Sequence, residues 1–213
     1  KKNRKFITTQ SIKKLKNFLK DYATDLTTGC HLFGSNKTYN IEKLRKDSDL
    51  ISAYKDKTFY KEKWIKKNGI EQRLIVTYSV KYQEYQRNIR NSQIERAKQI
   101  IEKNPQKLGK AKQNDPKRFI KTINTTNTGE VASKANYSIN QAAIDEEEKY
   151  DGLYAVCTNL EDDVQKIVEV NHHRWEIEDS FRIMKSEFNA RPVFHSREEA
   201  IKAHFLICFL SLT

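Results

Sequence analysis

The sequence predicts an α/β fold, and three kinds of observation lead there. Two β-branched and aromatic-rich runs flank an Asn68-Gly69 pair, which is the pattern of a β-hairpin. Other stretches, around residues 12–22, 82–103 and 160–188, repeat apolar residues at helical spacing. Short apolar runs at residues 6–9 and 153–157 supply further strands between those helices.

Taken in order, Phe6-Ile7-Thr8-Thr9 reads as a short strand, and Ser11 stands where it caps a helix carrying Ile12, Leu15, Phe18, Leu19 and Tyr22. Residues 24–56, with Gly29 and Gly34 among polar neighbours, read as loops and short strands. The hairpin arms are residues 58–66 and 70–80, joined through the positive φ angles that Asn68-Gly69 tolerates. A basic amphipathic helix follows over residues 82–103. Its periodicity turns Tyr82, Tyr85, Ile89, Ala97 and Ile101 inward and Arg87, Arg90, Arg96 and Lys98 outward, and Asn104-Pro105 ends it. Residues 106–121 hold Lys107, Lys110, Lys112, Lys117, Arg118 and Lys121, and read either as a phosphate-contacting stretch or as a solvated connector. Residues 122–140, rich in Thr, Asn and Ser with Gly129, read as short strands and loops. The acidic run Asp145-Glu146-Glu147-Glu148 leads into Tyr150-Asp151-Gly152 and the strand at 153–157, after which Asn159 caps a helix over 160–188. Arg191-Pro192 turns the chain, and a last helix begins near Ser196 with Ile201, Phe205 and Phe209 on one face.

Composition narrows the function. The 213 residues suit one large domain or two small ones, and ten Tyr, ten Phe and two Trp exclude a disordered chain. The net charge of +12 is unevenly spread: residues 1–150 hold 33 basic and 17 acidic side chains, residues 151–213 hold 7 and 11. That asymmetry points to a nucleic-acid-facing region beside a segment with different work. Cys30, Cys157 and Cys208 lie far apart without a CxxC or Cys-His cluster, so neither a disulfide framework nor a zinc site is indicated, and a reducing compartment is the default. The longest apolar run, residues 205–212, is well short of the roughly 20 residues that span a bilayer, and no signal-peptide pattern is present. With no initiator Met and an apolar ending, the chain reads as a fragment.

The helix at 160–188 concentrates the chemistry. At about 100° per residue, Asn171, Arg174, Glu178, Arg182 and Lys185 fall within roughly a quarter of its circumference. Ile177, Phe181, Met184 and Phe188 form an apolar stripe beside them, and Trp175, on the other side, reads as a core anchor. Charges bracketed by bulky apolar residues suit a cleft; the competing reading is i,i+4 ion pairing on a solvated face, Arg174 with Glu178. His172, His173, His195 and His204 read as surface or packing residues, and Cys157 and Cys208 as small buried apolar ones.

Arg174, Glu178 and Lys185 match the spacing of the Tyr-Arg-Glu-Lys signature, with Asn171 at the Tyr position. The chain thereby resembles bacterial insertion-sequence transposases of the DDE class. The run His173-Arg174-Trp175-Glu176-Ile177-Glu178, Phe181-Arg182, Lys185-Ser186, Arg191-Pro192-Val193-Phe194-His195 and Ala203-His204-Phe205-Leu206 extend the likeness, as does Asp151-Gly152 through Thr158-Asn159 upstream. It is strong over residues 148–213 and general in arrangement over 1–147. The resemblance implies the C-terminal portion of a ribonuclease H-like α/β core with a largely β insertion. Residues 1–23 would end the core, 24–159 form the insertion, and 160–213 supply the helices that carry the catalytic Glu.

It also implies metal-dependent strand cleavage and transfer at transposon ends, with two Mg²⁺ or Mn²⁺ ions in the complete site. Glu178 would be a catalytic carboxylate and metal ligand, with Arg174, Lys185, Arg182 and Asn171 binding DNA. The family's two catalytic Asp residues would precede the strand at 6–9. Asp21, Asp25, Asp47, Asp49 and Asp56 sit in polar surroundings, Asp115 precedes Pro116, and Asp151 reads as a turn residue beside Gly152, so none replaces them. The expected partner is double-stranded DNA, and work on two ends is compatible with a homodimer of the complete enzyme. The expected location is the bacterial cytoplasm at the nucleoid, and this chain alone is expected to be inactive. The other reading is a non-catalytic basic DNA-binding module or a decayed transposase remnant.

Overall fold

A computed structural model describes residues 4–35, 37–67, 69–103, 114–125, 131–188 and 194–211. Asn68, Asn104-Pro105, Lys107, Lys110, Lys112, Gly129 and Arg191-Pro192-Val193 lie outside the described residues. The chain divides into two compact units, Thr9–Asn159 and Lys1–Thr8 with Leu160–Thr213.

The larger unit is built on an open antiparallel sheet. Its elements are β1 (Ile7–Thr9), which enters through its last residue, α1 (Asn17–Thr24), β2 (Cys30–Leu32), β3 (Thr38–Tyr39), α2 (Ile41–Leu44), α3 (Ser48–Ala53), β4 (Thr58–Lys67), β5 (Ile70–Ser79), α4 (Val80–Lys103), β6 (Ile120–Thr125), β7 (Val131–Ile139), α5 (Gln141–Glu148) and β8 (Leu153–Thr158). The strand order is β1-β8-β5-β4-β2-β3, with β6 and β7 as a separate ribbon. The hairpin forms as its composition predicts: β4 and β5 stay in register from Thr58↔Ser79 to Lys67↔Ile70, and Gly69 adopts φ +79° at the turn. Leu74, Val76 and Tyr78 of β5 join Phe59, Ala155, Cys157, Leu19, Ala23 and Ile41 in the main core.

Ser11 precedes a short 3₁₀ turn at Ile12–Lys14 without a side-chain cap, and α1 starts only at Asn17. α4 departs further from the sequence reading. The face turned inward carries Gln83, Arg90 and Ala97, all buried, whereas Tyr82, Tyr85 and Ile89 are exposed. In its first half the apolar periodicity is thus one residue out of phase with the packed seam, while Ala97 lies on that seam as expected. The reason is polar: Arg90 Nη1 and Nη2 each donate to an Asp151 carboxylate oxygen at 2.6 Å. The two residues are 4% and 2% exposed. Burial of an Arg in an apolar seam is tolerated only with such a bidentate partner. On the same face, Gln86 Oε1 accepts from Gly152 N at 2.7 Å, and Gln83 meets the Tyr78 hydroxyl.

Asp151 is therefore a structural anchor, in line with its reading as a turn residue. Gly152 follows at φ +77°, where an added Cβ would stand 2.7 Å from Tyr78 Cε2 and 2.9 Å from Ser79 O. Below this joint, Ala97, Phe119 and Ile144 form a second small core. Arg118, from the basic stretch, is engaged within it: its Nε donates to Glu147 at 2.8 Å, so at this position the stretch is a structural connector.

The smaller unit contains α6 (Val164–His172), α7 (Arg174–Ser186) and α8 (Glu198–Leu210). The single helix expected over 160–188 is two helices. Asp163, not Asn159, caps the first by accepting from Lys166 N at 3.2 Å. At His173, ψ opens to −5°, and Glu176 N bonds back to His173 O at 3.0 Å, an i→i−3 contact that interrupts the α-helical ladder. Val164, Ile167, Val168 and Asn171 form the buried face of α6.

Removing Asp151 would leave the buried Arg90 with only the half-exposed Glu148 carboxylate, 3.2 Å from its Nη2. Asp151→Ala is expected to lower the unfolding free energy by about 3–5 kcal/mol, read by urea denaturation. Gly152→Ala should lower it by at least about 1 kcal/mol through backbone strain and crowding. A change below that for both variants would show that the joint does not hold α4 to β8.

Candidate functional site

Helix α7 holds most of the residues that the sequence singled out. It has a strongly two-sided composition, and among its residues none is buried. Arg174 lies in its first turn; its Nη2 donates to Glu178 Oε1 at 2.8 Å across one turn. The Glu178 side chain is 64% exposed. Arg182 pairs with Asp179 at 2.5 Å rather than with Glu178. His173 Nδ1 lies 2.7 Å from Glu176 Oε1. Arg174–Glu178 and Arg182–Asp179 are thus local ion pairs of the kind a solvated helix face carries, at i,i+4 and i,i+3 spacing.

One side chain departs from that pairing: among the described residues Lys185 forms no ion pair. With Glu178, Phe181, Arg182 and Ser186 it lines an open surface depression along the helix. Cation, carboxylate and apolar ring therefore meet on one face. Glu178, Arg182 and Lys185 are brought together there, with Arg174 bonded to Glu178. Asn171 is not part of this group. The break at His173 places it on α6, where it is buried; a continuous helix would have carried it beside Arg174. Trp175 is exposed, so it is not the core anchor that its size suggested. His195 and His204 face each other edge to face, with centroids 5.4 Å apart. Cys157 and Cys208 are buried as expected, and burial pushes the Cys157 thiol up.

A divalent ion of the Mg²⁺ type needs several hard oxygen ligands. Among the described residues no group of three His, Cys, Asp or Glu side chains is arranged to hold one. Glu178 offers one carboxylate, and Arg174 already occupies one of its oxygens. The described residues therefore do not complete a metal site.

The family model described as the transposase DDE domain matches residues 33–213. The chain belongs to this family. The match begins just after β2 and runs through β3, the hairpin and α4 to α8, so it includes most of the larger unit as well as α7. Membership associates this transposase domain with DNA transposition, a DNA partner and divalent-metal chemistry. No curated protein and no solved structure matches the chain. Among the described residues no helix is long and apolar enough to cross a membrane.

The pair that sequence reasoning missed is Arg90 with Asp151. One signal was available: Gln83, Gln86, Arg90, Gln93 and Ala97 recur at seam spacing. The exposed Arg174–Glu178 pair carries a thermodynamic consequence. Glu178→Gln should change stability by no more than about 0.5 kcal/mol, measured by thermal melting. A loss several times larger would mean that Glu178 supports the fold.

Proposed function

We propose that this transposase domain acts in metal-dependent strand cleavage and transfer at the ends of a transposable element, with Glu178 as one of its catalytic carboxylates. The observation that carries the reading is the face of α7 on which Glu178 and Lys185 meet, with Arg174 bonded to Glu178. The spacing of these residues reproduces the Arg-Glu-Lys part of the transposase signature, and family membership supports it. Residues 160–213 would be the C-terminal helices of a ribonuclease H-like core and 24–159 its insertion domain.

In this reading each residue has separate work. Glu178 would supply hard oxygens toward a Mg²⁺ or Mn²⁺ pair, with the two Asp residues of the family signature as its other carboxylate ligands. Two such ions would activate the attacking oxygen and stabilise the leaving one. Lys185 meets a DNA phosphate as a point charge, Arg174 through its planar fork. Arg182 assists from the same face. Asn171, which lacks the ring of the signature Tyr and is buried on α6, stands apart from this face and is given no DNA contact. The substrate is double-stranded DNA, two copies of the enzyme serve two ends, and the work takes place at the bacterial nucleoid.

The test compares variants of the full-length protein. Glu178→Gln keeps volume and helix propensity, so cleavage of a transposon end should fall by at least about 10³-fold while melting is unchanged. Arg174→Ala and Lys185→Ala should weaken binding of the end and reduce its salt dependence by about one counterion each. The present chain alone should bind duplex DNA without nicking it in Mg²⁺ or Mn²⁺. Near-normal cleavage by Glu178→Gln would remove the catalytic assignment of Glu178 and return this face of α7 to a solvated surface, whereas no cleavage by the wild-type protein would leave the second reading, a non-catalytic basic DNA-binding module.

A further inference from the structure

A second surface, in the larger unit, has a different chemistry. β4 pairs with β2 only at Phe59 and Tyr60. From Glu62 onward its outer edge has no strand partner among the described residues. α1 closes the first part of that edge: Tyr22 Oη donates to Glu62 O at 2.6 Å. Burial, and then the Glu62 charge, push this phenol up to about 12, so it stays a donor. Beyond Tyr22 the edge opens into a groove of about 310 Å³ between β4, the 3₁₀ turn and the start of α1.

Five lysines line this groove, Lys14, Lys16, Lys63, Lys66 and Lys67, and no carboxylate does. All five are exposed. Among the described residues the lysines in ion pairs are Lys55, Lys98, Lys149 and Lys202, none of them here. Lys67 donates to the neutral Gln10 amide at 3.2 Å, and Lys63 sits 5.3 Å from the Tyr22 ring centroid. Glu71 stands in register with Lys66 across the hairpin but does not line the groove. Between the lysines two aromatic rings face solvent, Phe18 at 60% and Trp64 at 52% exposure.

These features select a ligand. Like charges gathered in one concavity repel one another, and a polyanion relieves that repulsion. Phosphates alone would account for the lysines but not for two solvent-facing rings. A duplex keeps its base faces stacked inside, whereas a single strand offers them. A cationic groove with interleaved aromatic rings is how proteins hold single-stranded nucleic acid without reading its sequence. We propose that this groove binds a single-stranded segment of DNA, its phosphates on the lysines and an unpaired base against Trp64, with Phe18 beside it. The inference rests on the DNA partner of the proposed function and is independent of Glu178.

The chain contains two Trp residues, so Trp175→Phe makes Trp64 the sole indole reporter. An oligothymidylate of roughly 12 nucleotides should quench Trp64 emission, and a blunt duplex of the same length should not. By fluorescence anisotropy of the labelled oligonucleotide, Trp64→Ala should weaken single-strand binding about tenfold, and Trp64→Phe should restore most of it. Duplex binding should change less than about twofold in both variants. Replacing Lys63, Lys66 and Lys67 by Gln should lower the single-strand log-log salt slope by about 2.

Equal losses for single strand and duplex, unchanged binding in Trp64→Ala, or quenching by phosphatidylserine vesicles with none by oligothymidylate would each overturn the groove's assignment. Duplex binding retained without these single-strand effects would sink this inference alone. No DNA binding of either kind would sink the DNA partner of the proposed function with it.

Discussion

The buried pair between Arg90 and Asp151 sets the geometry of the larger unit. It joins the middle of a 24-residue helix to the residue before Gly152, where the chain turns into β8. A bidentate guanidinium–carboxylate contact has one good orientation, so it fixes the rotation of α4 about its own axis. Once Arg90 faces inward, Gln83 and Gln86 must follow on the same seam, where the Tyr78 hydroxyl and the Gly152 amide receive them. Tyr82, Tyr85 and Ile89 are then turned to the outside. A polar constraint has overruled the apolar pattern of the helix, because a buried charge without a partner costs more than a few exposed rings.

Near the other end of the chain a different constraint operates. The helix that bears the signature spacing is interrupted at His173, one residue before Arg174. The interruption separates a buried, well-packed segment from one with no buried residue. Side chains on α7 satisfy one another through short local ion pairs, and such pairs bring little stability of their own. That leaves the surface available for chemistry: a face held by weak pairings can exchange them for phosphates or ions at small cost.

The distribution of charge within the larger unit follows from the same pairings. The basic excess of the first 150 residues is not uniform on the surface, since Arg90 and Arg118 are spent on internal carboxylates. Lysines around Phe18 and Trp64 remain unneutralised by any residue lining their groove. The transposase family gives that excess a direction, because a polyanionic partner is what a DNA-processing enzyme meets.

Much of this was legible from the sequence by itself. The hairpin was, because β-branched alternation and an Asn-Gly turn act locally. So were the approximate extent of α4, the strand at 153–157, the burial of Cys157 and Cys208, and the turn role of Asp151. The Arg-Glu-Lys spacing pointed to the transposase family, which the match over residues 33–213 established. What only the tertiary structure decided depends on partners distant in the chain. The inward face of α4 required Asp151, 61 positions away from Arg90. The break at His173 has no Pro or Gly to announce it, and Asn171 parted from Arg174 because α6 has its own buried face. The lysine groove joins residues 14–18 to residues 63–67, which no local pattern places side by side. Periodicity reports which residues could share a face; which face is buried is settled by the groups that meet it.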